Sequence, residues 1–182
     1  GSMLVILLVS SIMGLKSLWS IGEELDSIAN QDIPLTKILT KITTHQLEQA
    51  VHFERAVRYS QIKDREPHVA PLLKKEVTKF EMLSQQVDKE IEESLNFIKQ
   101  VLNKDHDESV DIEFRKISST LKKIGQDHKA YNDHCEEIFQ LLNLGKLHEA
   151  ELKAEKVAEE EDKLDHALEE LLIEIENFTE QA

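Results

Sequence analysis

The sequence predicts an all-α protein, an antiparallel up-down-up-down four-helix bundle with long helices. Three observations lead to this prediction. The 182 residues include only five glycines and three prolines, which is the composition of long helices and not of sheets joined by turns. Apolar residues recur at alternating spacings of four and three over four long stretches, as they do in packed helices. Short segments separate those stretches, and short turns make consecutive helices antiparallel.

The first long helix is predicted to begin at Pro34, because proline suits the first turn of a helix. A shorter polar helix at residues 22–31 is predicted before it. The sequence Asp-Arg-Glu-Pro at residues 64–67 predicts the first turn. Between Pro34 and that turn, the predicted core stripe consists of Ile38, Ile42, His45, Gln49, His52, Ala56 and Tyr59.

The three remaining helices are predicted from the same period. The second spans residues 68–103, and a polar turn follows at residues 104–108. The third keeps its register from Phe114 to Leu142 and ends before Gly145, which suits the position after a helix. The fourth starts at Leu147 and continues to the last residue. With about 1.5 Å per residue, each long helix measures roughly 55–65 Å, and the chain starts and ends at the same end of the rod.

The start of the chain differs in composition from the bundle. Residues 1–2 (Gly-Ser) are interpreted as an expression scar. Residues 3–20 begin with an apolar run, and Lys16 and Trp19 suit a membrane–water interface. The run is shorter than the roughly 20 residues that span a bilayer, so we expect the outer part of a transmembrane helix. A signal-peptide remnant and a dimer-packing helix are the alternatives. Residues 21–182 are expected to form the bundle domain.

Charge and motif content exclude several classes of function. The formal charge is −14, whereas nucleic-acid binding needs clustered Lys and Arg, so no nucleic-acid partner is expected. Cys135 is the only cysteine, which excludes an intrachain disulfide and a cysteine-based zinc motif. The sequence contains no phosphate-binding loop, dinucleotide fingerprint, Gly-x-Ser-x-Gly or His-Glu-x-x-His motif. We therefore expect no enzymatic activity.

Three segments carry a resemblance to a receptor family. They are Ile-Ala-Asn-Gln-Asp-Ile-Pro-Leu at residues 28–35, Gln-Leu-Glu-Gln-Ala-Val-His-Phe-Glu-Arg-Ala-Val-Arg at residues 46–58 and Leu-Gly-Lys-Leu-His-Glu-Ala at residues 144–150. Together with the apolar start, they make the whole chain resemble the four-helix-bundle ligand-binding domains of methyl-accepting chemotaxis receptors. Histidine kinases and cyclic-dinucleotide enzymes use the same kind of sensor domain.

This resemblance implies an extracytoplasmic sensor domain of a bacterial receptor. Flanking transmembrane helices would anchor it in the cell inner membrane, with the domain in the periplasm or outside the cell. The family implies a parallel homodimer that signals by small helix displacements along the membrane axis. Amino-acid-sensing members hold the ligand carboxylate with arginines on the first long helix. Arg55 and Arg58 lie in that stretch, but their spacing does not reproduce the family pattern, so an amino-acid ligand is not expected.

Folding the predicted rod at its turns places several polar residues at one height of the core. His52 lies about 13 residues from the turn near residue 65. His128, Tyr131 and Glu161 lie about 17, 14 and 16 residues from the turn near residue 145. A level that should hold Leu and Ile therefore holds two histidines, a tyrosine and a glutamate on three helices. Buried imidazoles and carboxylates must be paired or must bind something.

A metal site is the most specific hypothesis for this level. Imidazole and carboxylate ligands suit iron, zinc or manganese, and helix bundles build di-iron sites from such inward-facing side chains. We expect mono- or dinuclear iron, with zinc as the second choice. The Glu-x-x-x-His spacing in this chain is one residue longer than the Glu-x-x-His of ferritin-like sites. The predicted ligands are His52, His128 and Glu161, with His45, Glu48 and Asp165 as further candidates.

Three alternatives to the metal site stay open. One is a pocket for a small organic ligand in a metal-free sensor domain, with Arg55, Arg58, Tyr59 and Tyr131 as its contacts. Another is a polar layer that fixes the register of the helices, as buried polar residues do in coiled coils. The third is a structural helical-bundle interaction module. It predicts no bound ligand and leaves the polar level unexplained.

Overall fold

Four long helices make up the fold. The computed structural model describes the backbone of residues 33–104 and 108–181, and the side chains as far as Phe178. The all-α prediction is confirmed, and these ranges contain no strand. A short 3-10 turn at Pro67–Val69 leads into the second helix. The helices are α1 (Ile33–Ile62), α2 (Ala70–Leu102), α3 (Glu108–Asn143) and α4 (Leu147–Gln181).

The core-facing stripe of α1 differs from the predicted one. Ile42, Gln49 and Ala56 are buried as predicted, but His45 and Tyr59 are only half-buried. A helix that packs on two neighbours buries three to four positions per heptad. Its buried surface therefore includes two adjacent rows of side chains, and the prediction followed only one of them. The stripe that contains Leu39 and Phe53 removes more apolar surface from water and takes the central position. The buried residues of α1 are Leu35, Leu39, Ile42, Gln46, Gln49, Ala50, His52, Phe53, Ala56 and Ser60.

The other three helices follow their predicted stripes closely. The heptad stripe of α2 is buried at Phe80, Val87, Ile91 and Ile98, and its first members, Leu73 and Val77, are half-buried. On α4 the apolar stripe is buried from Val157 to Ile175, but Glu161 is half-buried. Every predicted core position of α3 is confirmed as buried, namely Phe114, Ile117, Leu121, Ile124, His128, Tyr131, Cys135, Ile138 and Leu142.

Side-chain pairs show how the helices face one another. On the α1–α2 face, His45 contacts Glu90 and His52 contacts Glu76, so the partner's number falls as the residue number rises. The α3–α4 face has the same relation. There Lys116 contacts Glu174, His134 contacts Glu160 and Glu137 contacts Lys153.

An aromatic cluster fills the core next to the polar level. Phe53 of α1, Phe80 of α2, and Tyr131 and Phe139 of α3 have ring centroids 5.3–6.5 Å apart in the contacting pairs. The rings are tilted or edge-to-face, which is the geometry that the aromatic quadrupole favours. The cluster ties three helices together and gives the polar residues beside it a rigid support.

Gly145 ends α3 in the predicted way. Its φ is 73°, and the amides of Gly145 and Lys146 donate to the carbonyl oxygens of Leu142 and Leu141. These two bonds form a Schellman motif, which needs a left-handed residue after the helix. We predict that Gly145→Ala lowers the free energy of unfolding by about 1 kcal/mol. Urea denaturation measures the loss, and Gly145→Asn should lose less because Asn tolerates this conformation. Equal stability of the alanine variant and the wild type would contradict the expectation.

No helix in the part of the chain that the structure describes is both long enough and apolar enough to cross a membrane. The predicted apolar segment at residues 3–20 and the polar helix at residues 22–31 lie outside the described residues.

Candidate functional site

A hydrogen-bonded network crosses the middle of the core. His128 of α3 is 1% exposed, and its two ring nitrogens face oxygens of two other helices. Nδ1 lies 2.9 Å from Oδ1 of Asp88 on α2, and Nε2 lies 3.0 Å from Oε1 of Gln49 on α1. The Gln49 amide nitrogen donates to Oδ1 of Asn132, 2.5 Å away. Three helices therefore share one polar network, defined here as Gln49, Asp88, His128 and Asn132.

The protonation state of His128 is balanced between two opposing effects. Both ring nitrogens face oxygen acceptors, and only the imidazolium form has an N–H donor for each of them. Burial nevertheless lowers the pKa of His128, and the charge of Asp88 and the hydrogen bond to it raise the pKa by less. Asp88 is exposed at the surface, so it connects the buried ring with solvent. A change of charge on His128 requires a rearrangement of the Gln49 and Asn132 amides.

Two further histidines pair with buried carboxylates along the α1–α2 face. His45 Nδ1 lies 2.8 Å from Oε2 of Glu90, and His52 Nδ1 lies 2.5 Å from Oε2 of Glu76. The Glu90 carboxylate also accepts a hydrogen bond from the Gln86 amide at 2.8 Å. The two histidines are one heptad apart on α1 and the two glutamates are two heptads apart on α2, so each helix presents its set on a single face.

Sequence reasoning missed the residues that α2 and α3 contribute. No residue of α2 was predicted to belong to the polar level, whereas Glu76 is buried beside His52 and Glu90 is buried beside His45. The sequence does contain a signal for the burial of these glutamates, because both occupy the same heptad position as the apolar Leu83 between them. Asp88 and Asn132 gave no such signal. Asp88 lies on an exposed position and Asn132 beside the main stripe of α3, so only the three-dimensional contacts identify them.

The α4 side of the polar level consists of carboxylates. Burial raises the pKa of Glu161 to about 7, and the charges of Asp165, Glu54 and Asp162 add to this shift. The pKa of Asp165 is also raised, by burial first and by the charge of Asp162 second. Oδ1 of Asp165 is buried and has no hydrogen-bond partner. Glu161 and Asp165 are therefore a half-buried carboxylate pair.

Tyr131 and Cys135 lie next to that carboxylate pair. Both are 0% exposed, and burial raises the pKa of each far above its ordinary value. For Tyr131, the charges of Cys135, Glu161 and Asp165 and a hydrogen bond with the Cys135 side chain raise the pKa further. Tyr131 is thus a neutral phenol and Cys135 a protonated thiol, which excludes a nucleophilic role for this cysteine.

The predicted metal ligands do not converge on one point. His52 faces Glu76, and His128 faces Asp88 and Gln49. Glu161 and Asp165 form the separate carboxylate pair, and Glu48 is exposed. Within residues 33–104 and 108–178, no three His, Cys, Asp or Glu side chains are arranged to hold a metal ion. The residues present thus form histidine–carboxylate pairs rather than a ligand set for iron or zinc, and that metal stays a prediction.

The predicted organic-ligand contacts are also dispersed. The Arg55 guanidinium lies 4.0 Å from Glu76, and the Arg58 guanidinium lies 5.9 Å from the centre of the Tyr59 ring. Tyr131 is enclosed in the core, away from these exposed arginines. A groove of about 530 Å³ lies elsewhere, between the start of α3 and the end of α4. It is lined by Glu113, Lys116, Glu170, Ile173, Glu174, Asn177 and Phe178.

Gln46 and Gln49 give a matched test of the polar network. Both are buried in the α1 stripe, but Gln49 bonds to His128 and Asn132, whereas neither amide atom of Gln46 has a partner. We predict that Gln46→Leu raises the free energy of unfolding by about 1–2 kcal/mol, because it removes an unsatisfied buried amide. Gln49→Leu should lower it by about 1–3 kcal/mol, because it leaves two partners unsatisfied. Urea denaturation measures the change in the free energy of unfolding of both variants. Changes of the same sign would contradict the hydrogen-bonded network around Gln49.

The raised pKa of Glu161 predicts how the free energy of unfolding depends on pH. Its folded-state pKa, about 7, exceeds the ordinary 4.5, so the folded state binds the proton more tightly. The stability that this tighter proton binding contributes is therefore complete below pH 4.5 and is lost as the pH rises through 7. Between pH 4.5 and 7, the free energy of unfolding of the wild type should fall by about 1 kcal/mol relative to that of Glu161→Gln. This value is discounted because solvent screens the half-exposed side chain. Denaturant unfolding at a series of pH values measures the difference, and parallel curves for the two proteins would contradict it.

No protein-family model, curated protein or solved structure matches the chain.

Proposed function

We propose that the chain is the extracytoplasmic sensor domain of a bacterial transmembrane receptor, anchored in the inner membrane by flanking helices and active as a homodimer. The observation that carries this proposal is the network of Gln49, Asp88, His128 and Asn132 in the middle of a long helical core. A bundle selected only for stability gains more from Leu and Ile at such positions, since buried polar groups bring a desolvation cost. The network instead offers a place where an input can change charge and packing.

An antiparallel up-down-up-down order of the helices is part of the proposal. The opposite numbering of the α1–α2 and α3–α4 contact pairs supports it. So do the short connections between consecutive helices. In this order the start of α1 and the end of α4 lie at the same end of the rod. A displacement of α4 against α1 would then reach whatever segments flank the domain.

The mechanism follows from the position of the network. An input that changes the charge of His128, or replaces one of its partners, changes the hydrogen bonds that join α1, α2 and α3. Packed helices respond to such changes with displacements of about 1–2 Å. The domain itself performs no catalysis in this proposal. Its output is the shift of one helix relative to another.

The experiment that tests this function is a search for the input with the purified domain. Thermal unfolding is followed across a panel of small metabolites and metal ions, for the wild type and His128→Leu. A ligand at one hundred times its Kd should stabilise the wild type by about 2.7 kcal/mol. The same ligand should stabilise His128→Leu much less. If nothing in the panel shifts the wild type more than the variant, the network is a register device and the sensor proposal fails.

Metal content is measured on the same material. Histidine–carboxylate pairs at His52 with Glu76 and at His45 with Glu90 supply nitrogen and oxygen donors on one face, which keeps iron or zinc as the second candidate input. Elemental analysis follows expression in iron-supplemented medium without a histidine tag. Metal that is bound stoichiometrically and lost in His52→Ala would support a metal input. Metal-free protein, even after anaerobic reconstitution with ferrous iron, would exclude it.

A further inference from the structure

The face of α1 that points away from the core carries a second heptad row of side chains. Its members follow one another at alternating spacings of four and three residues, the spacing with which a helix packs along another helix. Leu47 and Val51, near its centre, are 47% and 43% exposed, and Ile33, at its start, is 59% exposed. This outer stripe consists of Ile33, Lys37, Thr40, Thr44, Leu47, Val51, Glu54 and Arg58, all of which are exposed.

The middle of the outer stripe is uncharged. It consists of the consecutive members Thr40, Thr44, Leu47 and Val51. The hydroxyls of Thr40 and Thr44 each donate to the carbonyl oxygen four residues earlier, at 2.8 Å, so they need no polar partner across an interface. The exposed row of α3 with the same spacing contains charged residues, namely Lys116, Lys123, Asp133 and Glu137. The outer stripe of α1 therefore offers an uncharged surface to a second helix.

Charged residues flank this uncharged middle in an order that is complementary to itself. Lys37 lies before it and Glu54 lies after it, at equal distances from the midpoint between Thr44 and Leu47. When a second copy of the stripe lies antiparallel across that midpoint, Thr44 faces Leu47 of the other copy and Lys37 faces Glu54. The two-fold symmetry of such a pair repeats each contact, so both lysines meet a carboxylate.

The charges beside the stripe favour the same orientation. Lys41 and Glu48 are exposed next to it. In the antiparallel pair, Lys41 lies within about 3 Å in height of Glu48 of the other copy, since a helix rises about 1.5 Å per residue. A parallel pair would instead place Lys37, Glu54 and Arg58 each against the same residue of the other copy, where like charges repel. Charge therefore selects the antiparallel orientation.

We propose that the outer stripe of α1 binds a second copy of this chain in the antiparallel orientation. The contact extends from Lys37 to Glu54, over roughly 26 Å of helix. Arg58, the remaining charged member, lies opposite the uncharged Ile33 of the other copy. A single helix pair buries less area than a standard-size interface, so the association depends on protein concentration.

This surface goes beyond the proposed sensor function. Its antiparallel orientation differs from the parallel homodimer that the family resemblance implies. A receptor homodimer with parallel rods would therefore have to use another face of the bundle.

A charge exchange tests whether opposite charges hold the two copies together. Sedimentation equilibrium measures the dimer dissociation constant of the wild type, of Lys37→Glu and of the double variant Lys37→Glu, Glu54→Lys. Lys37→Glu should weaken dimerisation at least about fivefold, and the double variant should restore it because the exchange re-forms both ion pairs. The control Lys74→Glu changes the net charge equally at an exposed position of α2 and should have little effect. A double variant as weak as Lys37→Glu overturns the proposal.

Disulfide cross-linking between two cysteine variants tests the contact and its orientation. Thr40→Cys and Val51→Cys are oxidised separately and as an equimolar mixture, with one protein ¹⁵N-labelled so that mass spectrometry identifies mixed dimers. The antiparallel pair predicts cross-links only in the mixture, between positions 40 and 51. The wild type is the control, since its Cys135 is 0% exposed.

Two outcomes of the cross-linking overturn the proposal. Dimers that each variant forms by itself would show a parallel pair, and the absence of any cross-link would show that the outer stripe binds no second copy. Neither outcome bears on the sensor function, because these substitutions lie outside the network around His128 and the ligand search with His128→Leu tests that function separately.

Discussion

Replacing His52 by alanine should lower the free energy of unfolding by about 3–5 kcal/mol, because the substitution leaves the buried Glu76 carboxylate without its imidazole partner. The two side chains lie 2.5 Å apart, and both are almost completely enclosed between α1 and α2. The Arg55 guanidinium is 4.0 Å from the same carboxylate and is half-exposed, so it compensates for little of the loss. Urea denaturation at pH 7 measures the effect.

A double substitution distinguishes the loss of one partner from the loss of the whole pair. The double variant His52→Leu, Glu76→Leu replaces both polar partners by apolar side chains and should recover most of the stability lost in His52→Ala. The matched surface control is His166→Ala, because Nε2 of His166 lies 3.3 Å from Oε1 of Glu170 on its own helix and both side chains are exposed. That control should change stability by less than about 0.5 kcal/mol. A His52→Ala variant as stable as the surface control would show that the pair does not form.

Replacing Phe80 by alanine should also lower the free energy of unfolding by about 3–5 kcal/mol. Phe80 is buried at the centre of the aromatic cluster and contacts Phe53 of α1 and both Tyr131 and Phe139 of α3. Its removal therefore creates a cavity between three helices. Calorimetric or urea unfolding provides the measurement.

The same substitution tests the arrangement of the helices. In a double-mutant cycle with Phe139→Leu, the coupling energy between Phe80 and Phe139 should be about 0.5–1.5 kcal/mol, as expected for an edge-to-face ring pair. Phe114 contacts Phe178 at another level of the bundle and makes no ring contact with Phe80, so a cycle of Phe80 with Phe114 should show additivity. Additivity in both cycles would contradict the described packing of α2 on α3.

The fold was predictable from the sequence because the helix signals agree with one another. The stripe of α3 continues without interruption from Phe114 to Leu142, and Gly145 provides a turn that no other residue favours as strongly. The central stripe of α1 was less predictable. Both His52 and Phe53 lie on faces that a two-sided helix can bury, and periodicity alone does not separate adjacent faces.

The candidate site was predictable only in part. Counting residues from the turns correctly identified His52, His128 and Tyr131 as buried. It could not identify their partners, because a difference in height says nothing about the direction of a side chain around the helix axis. Glu76 and Glu90 of α2 face α1, and the exposed Asp88 reaches inward to His128. These angular relations depend on how all four helices pack, which a single-chain pattern does not contain.

The most direct test of the central claim measures signalling through the network. The chain replaces the ligand-binding domain of a chemotaxis receptor, and the kinase output of the hybrid is recorded for the wild type, His128→Leu and the surface control His166→Ala. The account predicts that His128→Leu changes the output at least about fivefold, which is the lower end of an allosteric coupling, while His166→Ala leaves it unchanged. Folded, membrane-inserted hybrids with equal output for all three proteins would contradict the claim that this network receives and transmits an input.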